Sequence, residues 1–203
     1  MGLRHTYTLF APVYDTLVRR ATTSMRAASL ARLDAGEGCP VLLCGIGTGL
    51  DIPLLSRGPR YLGLDLTPAM VQRCARRAAG TDLDLHLQIG DAMDLPYADE
   101  RFERVVLHLI LAVVPQPAAV LGEAARVLRP GGEVLILDKF LRPGQRAPLR
   151  RAINPLLRRL ATRTDVVFEP LLETTPELAL LTDESAVPGG WFRRLRLRKR
   201  ERT

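Results

Sequence analysis

Val41-Leu42-Leu43-Cys44-Gly45-Ile46-Gly47-Thr48-Gly49-Leu50-Asp51-Ile52 is the stretch whose reading decides the fold. Its opening residues are apolar without a break, and they run into glycines at alternate positions, Gly45, Gly47 and Gly49. A half-wet antiparallel strand would alternate apolar with polar, so an unbroken run reads as a strand buried on both faces of a parallel sheet. The glycines let the backbone turn sharply and let a ligand lie against it with no Cβ in the way. A helix that starts after such a turn presents its free amides to whatever sits there. Taken alone the pattern is weak, because ordinary tight turns use the same residues.

The next segment adds the missing context. Tyr61-Leu62-Gly63-Leu64-Asp65 is a second apolar strand ending in a carboxylate, 20 positions after Gly45. At that separation the acid of a second strand meets a ribose held over the glycine turn. Thr67-Pro68 supplies an N-cap residue followed by proline at the first helical position. Strand, glycine turn, helix, strand with terminal acid and helix together describe a nucleoside-binding half of an open α/β sheet.

At 203 residues, 47% of them apolar and 25% charged, the chain reads as one globular domain with a sizeable core. Within it, 1–38 is expected to form N-terminal lid helices, 39–140 the cofactor-binding core, and 141–203 a basic helix followed by a strand pair. No apolar run reaches membrane-spanning length, and Met1 to Phe10 is mixed and polar, unlike a secretory signal. Cys39, Cys44 and Cys74 are odd in number and form no CxxC pair. They read as reduced thiols of a cytoplasmic protein, and no metal site is expected. The formal charge of +7 is unevenly placed. Lys139 to Thr164 holds seven arginines and one lysine with no acid, and Arg193 to Arg200 holds six basic residues in eight. Such runs are either a solvated surface or an attraction to a polyanion, an anionic membrane or nucleic acid.

The remaining elements follow from periodicity and breakers. Val13, Leu17, Val18, Ala21, Met25, Ala28 and Leu30 recur at roughly helical spacing with Arg19, Arg20, Arg26 and Arg32 between them, which predicts one or two helices before Val41. Met70, Val71, Cys74 and Ala78 mark a helix ending near Gly80. Leu83 to Ile89 alternates strictly and predicts a third strand. Val105 to Val114 is a buried run closed by Pro115, Ala118 to Leu128 a helix stopped by Arg129-Pro130-Gly131-Gly132, and Glu133 to Phe140 a fifth strand. Pro148 to Ala161 suggests a basic amphipathic helix bent at Pro155. Leu178 to Leu181 and Trp191 to Leu197 read as a final antiparallel pair.

In this order the signals resemble the class I S-adenosylmethionine-dependent methyltransferases. The resemblance is carried by Gly45-Ile46-Gly47-Thr48-Gly49, by Leu64-Asp65-Leu66-Thr67-Pro68-Ala69-Met70, by Gly90-Asp91-Ala92-Met93-Asp94-Leu95-Pro96, and by Ala125 to Gly132. It implies a Rossmann-like, seven-stranded, mostly parallel sheet with helices on both faces, the last strand antiparallel, and an N-terminal helical lid. The implied cofactor is S-adenosylmethionine, with S-adenosylhomocysteine as product. By matching motif, Cys44, Gly45, Ile46, Gly47 and Gly49 meet its methionine part and Asp65 holds the ribose hydroxyls. Asp91, Ala92 and Met93 meet adenine, with Leu66 and Met70 as its apolar neighbours. An ionised carboxylate suits a ribose diol because it accepts both hydroxyl protons. Two departures stand out. Leu43 occupies the place of the usual acid before the first glycine, so either Asp51 takes its part or binding is weaker, and Glu103 follows Phe102 where an Asp is usual.

Methyl transfer is an in-line displacement at an already activated carbon, so the protein chiefly aligns the nucleophile and excludes water. A base is needed only when the acceptor must lose a proton. His108, at the carboxyl end of the fourth strand, is the candidate, with a packed or cofactor-adjacent role as the competing reading. His5 and His86 read as surface residues. Phe10-Ala11-Pro12-Val13-Tyr14-Asp15 looks like the segment found in quinone-biosynthesis and bacterial phosphatidylethanolamine N-methyltransferases, where a tyrosine-bearing start folds over the cofactor. That likeness makes Tyr14, ahead of Tyr7, a second candidate catalytic residue. The expected acceptor is a lipid such as a phosphatidylethanolamine headgroup, a quinone or other small molecule being the alternative. Arg150, Arg151, Arg158 and Arg159 are the expected contacts with an anionic inner membrane face. Nucleic acid is disfavoured: aromatic residues are 5% and no Asn/Asp-Pro-Pro-aromatic element follows the fourth strand. A nicotinamide oxidoreductase is disfavoured by the glycine spacing. A non-catalytic cofactor-binding protein on the same fold is the reading of another class.

Overall fold

The computed structural model describes residues 22–142, 166–187 and 190–201. The lid segment with Tyr7 and Tyr14, the predicted basic helix with Arg150, Arg151, Arg158 and Arg159, and His5 lie outside the described residues. Seven strands form one sheet: β1 Pro40–Cys44, β2 Arg60–Asp65, β3 Asp84–Ile89, β4 Phe102–His108, β5 Leu128–Asp138, β6 Leu178–Ser185 and β7 Arg193–Lys199. Among the described residues the helices are α1 (22–30), α2 Pro68–Ala78, α3 Pro117–Val127 and α4 Glu169–Glu173, with a 3₁₀ turn at Ile52–Leu54. The strand order is β3-β2-β1-β4-β5-β7-β6. β1 to β5 are parallel, and β7 alone runs antiparallel, inserted between β5 and β6.

Strand alternation sends the side chains of β1, β2 and β4 into two cores. Leu42, Cys44, Leu64, Val105, Leu107, Val134 and Ile136 pack with α3 residues Val120, Leu121 and Ala124 and with Phe140 and Phe168. On the opposite face Val41, Leu43, Tyr61 and Val106 pack with Leu30 of α1, Ile52 and Cys74 of α2. The unbroken apolar runs of β1 and β4 are therefore what a sheet covered on both faces requires.

Two boundaries differ from the sequence expectation. The apolar run Val105 to Val114 is not all strand: β4 stops at His108, and Leu109 takes a left-handed φ of 60°. The run continues because Ile110, Leu111 and Ala112 fold back into the core. The fully buried Asp138 at the end of β5 fixes that return by accepting the Ala112 N–H at 3.0 Å. Likewise β5 begins at Leu128, directly after α3, and not at Glu133. Leu128 pairs with Phe102 before an irregularity in the β4–β5 register. Gly132 sits in that irregular stretch, where a Cβ would lie 2.9 Å from the carbonyl oxygens of Glu103 and Arg129. The prolyl-glycine signal thus marks a bulge in a strand and not a loop.

The basic run of β7 also resolves. Leu195 and Leu197 are buried, while Arg194 pairs with Glu184 (3.0 Å), and Arg196 and Arg198 both pair with Glu133 (2.7 Å each). Arg193 is fully buried, bound to Asp183 and Glu169 at 2.8 Å each. These cations are spent on acids of the same chain.

Candidate functional site at the carboxyl edge of the sheet

The strand order reverses direction between β1 and β4, and in open α/β sheets ligands bind in the crevice at such a point, outside the carboxyl ends of the strands. Gly45, Gly47 and Gly49 leave β1 there, with φ of 71°, 57° and 78°. The amides of Gly45 and Ile46 both donate to the Leu64 carbonyl, at 2.8 and 3.0 Å, which clips the turn to β2. Gly45 lies under Ile110, whose side chain would collide with a Cβ, whereas a Cβ on Gly47 would meet nothing within 4 Å. Gly45 is therefore small for packing, and Gly47 faces space that none of the described residues fills. Arg77 of α2 donates to the Thr48 carbonyl and hydroxyl and braces the far side of the turn.

Asp65, the last residue of β2, accepts the Gly47 N–H through Oδ2 and the Thr67 N–H through Oδ1, both at 2.9 Å. Thr67 makes no side-chain cap for α2, so the carboxylate of Asp65 supplies the turn chemistry expected of the threonine. Burial raises the Asp65 pKa, and the backbone hydrogen bonds only partly offset that. Each carboxylate oxygen still has a second lone pair for another donor. Asp91, after β3, accepts the Met93 N–H at 2.8 Å. Leu66 and Ile89 are 48% and 53% exposed, large apolar side chains open beside the two acids. Met70 and Met93 are half-buried, and Ile46 and Ala92 are buried. The side chain of Cys44 points into the core, where burial pushes its thiol up to about 12 and keeps it protonated.

Leu43 faces the second core and offers no charge. Asp51 is indeed at this edge, buried, but its Oδ1 already accepts Arg26 Nη1 at 2.9 Å and lies 3.0 Å from His108 Nδ1. Burial opposes a charge on Asp51, yet its interactions with His108 and Arg26 outweigh that and hold the carboxyl well below the usual range. His108 Nε2 lies 2.9 Å from Ser29 Oγ, and Arg26 Nε donates to Thr22 Oγ1 at 3.1 Å. Arg26, one of the arginines spaced between the apolar positions of the N-terminal segment, is thus buried in a polar cluster that binds α1 to the sheet edge. His108 is likewise buried, and His86 is on the surface as expected. Ser29, Arg26 and the clamp residue Asp138 were not singled out by sequence. The only available signal was that Thr22, Arg26 and Ser29 share the helical face of Met25 and Leu30.

Among the described residues no group of His, Cys, Asp and Glu could hold a metal ion, and no helix is long and apolar enough to cross a membrane. The methyltransferase-domain family model matches residues 42–136, from β1 into β5. A phosphatidylethanolamine N-methyltransferase of Cereibacter sphaeroides is 33% identical over 191 residues, covering 93% of each chain. A demethylmenaquinone methyltransferase of Clavibacter sepedonicus is 33% identical over 177 residues, 83% of this chain and 68% of that one. Among solved structures, geranyl diphosphate C-methyltransferase from Streptomyces coelicolor, in complex with Mg²⁺, geranyl diphosphate and S-adenosyl-L-homocysteine, superposes with a TM-score of 0.72 at 16% identity, covering 90% of this chain and 81% of that one. The sheet order, the glycine turn and this kinship agree: the chain belongs to the class I S-adenosylmethionine-dependent methyltransferases.

Proposed function

We propose that this methyltransferase modifies a membrane lipid amine of the phosphatidylethanolamine class. The observation that carries the reading is the end-to-end similarity to a phosphatidylethanolamine N-methyltransferase, which covers 93% of both chains. Similarity to demethylmenaquinone methyltransferases supports a quinone acceptor as the second reading.

The residues at the sheet edge fit the cofactor. The open space above Gly47 admits a chain lying against bare backbone. Asp65 has acceptor capacity left for a ribose diol, and Leu66 and Met70 offer apolar surface to one side of a purine. We assign the methionine end to Cys44, Gly45, Ile46, Gly47 and Gly49, the ribose to Asp65, and adenine to Leu66, Met70, Asp91, Ala92 and Met93. Since the Cys44 side chain is in the core, its contact is through backbone. Bound there, S-adenosylmethionine would supply a methyl carbon activated by the sulfonium sulfur to which it is bonded. The chain's own work is to align the acceptor with that carbon and to keep water away. His108 is the base on which the acceptor's proton ends, and Tyr14, outside the described residues, is the second candidate catalytic residue.

Docking on an anionic inner membrane face draws on Arg150, Arg151, Arg158 and Arg159, each contributing about 1 kcal/mol near such a surface. The protein is then a cytoplasmic, peripheral one. The test is transfer of radiolabelled methyl to phosphatidylethanolamine vesicles, to a quinone extract and to RNA in parallel. Label in the lipid fraction is expected; label confined to quinone supports the second reading and overturns the first. Vesicle flotation should weaken when the four arginines are neutralised and when salt is raised.

A further inference from the structure

We propose that Ser29, His108 and Asp51 form a proton relay in which the Ser29 hydroxyl, and not the His108 ring, meets the methyl acceptor. The proposal rests on the reading above, that the acceptor atom carries a proton it must lose. It locates that proton's path in side chains from three separate elements.

Position comes first. His108 ends β4, and Leu107 pairs with Cys44, so the imidazole is level with Gly45 across the β1–β4 crevice. Asp51 follows the glycine turn, and Ser29 reaches the crevice from α1. The three side chains therefore meet at the point where the ligand site lies.

Direction follows from valence. Asp51 is an acceptor only, so the proton on its 3.0 Å contact belongs to His108 Nδ1. In the proposed resting state the ring is neutral, its Nε2 lone pair faces Ser29 Oγ over 2.9 Å, and the Ser29 hydroxyl is the donor of that contact. Both ring nitrogens are thereby engaged, and an acceptor has no direct route to either. Ser29 Oγ retains lone-pair capacity for a donor on its other side. Among the described residues, the charged groups against His108 are Asp51 and Arg26. The 2.9 Å bond from Arg26 to the same carboxylate oxygen neutralises it and holds it in place.

A purely mechanical fastening explains this cluster poorly. It sits beside Leu30, Val41, Leu43, Ile46 and Ile52, and apolar contacts would join α1 to the sheet at no greater cost. Replacing buried ionic groups by apolar ones is often neutral or stabilising. Four buried polar side chains at the ligand crevice therefore call for a chemical reason.

The step balances as follows. The acceptor ammonium gives one proton to Ser29 Oγ while the hydroxyl proton of Ser29 moves to His108 Nε2. Asp51 stabilises the imidazolium that forms. The freed nitrogen lone pair bonds to the methyl carbon as the carbon–sulfur pair stays on sulfur, and the imidazolium later releases its proton to water. Ser29 is the catalytic residue of this set, and Asp51 and Arg26 are positioning residues.

The test combines kinetics with a readout independent of turnover. On phosphatidylethanolamine vesicles containing anionic lipid, Ser29→Ala should lower kcat by about 100-fold or more, as loss of general acid–base assistance does. S-adenosylhomocysteine affinity should stay within about twofold, and Ser29→Thr should recover most of the rate. Asp51→Asn, which removes the acceptor that holds the proton on Nδ1, should lower kcat while S-adenosylhomocysteine affinity stays within about twofold. Nitrogen NMR of the wild-type ring should report the proton on Nδ1. Ser29→Ala retaining kcat within about threefold, or a ring protonated on Nε2, overturns the relay. Wild-type protein that binds S-adenosylhomocysteine but methylates no lipid amine refutes the acceptor reading, and the ring tautomer still decides the relay.

Discussion

The glycine turn offers a contrast between two residues that differ in what surrounds them. Gly47 and Gly49 have left-handed φ of 57° and 78°. An alanine at either position costs about 1–2 kcal/mol in backbone strain. Beyond that the two diverge. A Cβ on Gly49 would stand 2.6 Å from Ile52 Cδ1 and 2.8 Å from Cys74 Sγ, both in the core, adding about 1–3 kcal/mol of overpacking. A Cβ on Gly47 would touch nothing, so its stability cost is the strain alone. For a chain of this size 1 kcal/mol moves Tm by about 2–4 °C, so Gly47→Ala should lower Tm by about 2–8 °C and Gly49→Ala by about 4–20 °C. The order reverses for ligand. If the methionyl chain lies on Gly47, the added methyl presses on it with an overpacking cost of about 1–3 kcal/mol, or about 5- to 150-fold in Kd. Scanning calorimetry and titration of S-adenosylhomocysteine measure the two axes separately. Gly47→Ala binding as tightly as wild type would refute the claim that the open space above this glycine is the ligand's.

Arg193→Met should be strongly destabilising without touching the cofactor site. It leaves Asp183 and Glu169 without their shared cation, and since both carboxylates are partly open to water the loss should fall near the lower end of the range for broken buried pairs, about 3 kcal/mol by denaturant unfolding. Asp51 has its pKa lowered by folding, so it adds stability that is present above the unfolded value, about pH 4, and is lost as pH falls. The stability gap between wild type and Asp51→Asn should therefore shrink on acidification below that pH, as followed by circular dichroism melts. Asp65 has the opposite shift, upward, so the ionised form proposed to accept ribose hydroxyls begins to disappear above the ordinary carboxylate range. Affinity for S-adenosylhomocysteine should accordingly fall on mild acidification, and Asp65→Asn should remove that pH dependence.

What was legible in the sequence was local. β1, its glycine turn, Asp65 at the end of β2 and the start of α2 at Pro68 are each announced by neighbours within a few residues. Their spacing identified the cofactor half of the fold. What was not legible depends on contacts between distant residues. The apolar run after His108 looks like strand because its residues are buried, and only the return of Ile110 onto Gly45 and the hold of Asp138 on Ala112 show it to be a loop. The arginines of β7 resemble a polyanion surface until Glu133, Asp183 and Glu184 are placed opposite them. Arg26, Ser29, Asp51 and His108 meet across sequence separations of 25, 57 and 79 residues, and no periodicity announces such a cluster. Leu43 did raise the question of where the missing acid went. The substitute that the sequence offered, Asp51, is bound to Arg26 and His108.

Calorimetric titration of S-adenosylhomocysteine into wild-type and Asp65→Ala protein is the direct test of the proposed hold on a nucleoside's sugar at the end of β2. Two ribose hydroxyls bonded to one carboxylate, at about 1.5–3 kcal/mol each, predict at least a ~100-fold loss of affinity in the variant. Equal affinity in the two proteins, or no heat of binding to wild type at millimolar ligand, would contradict it.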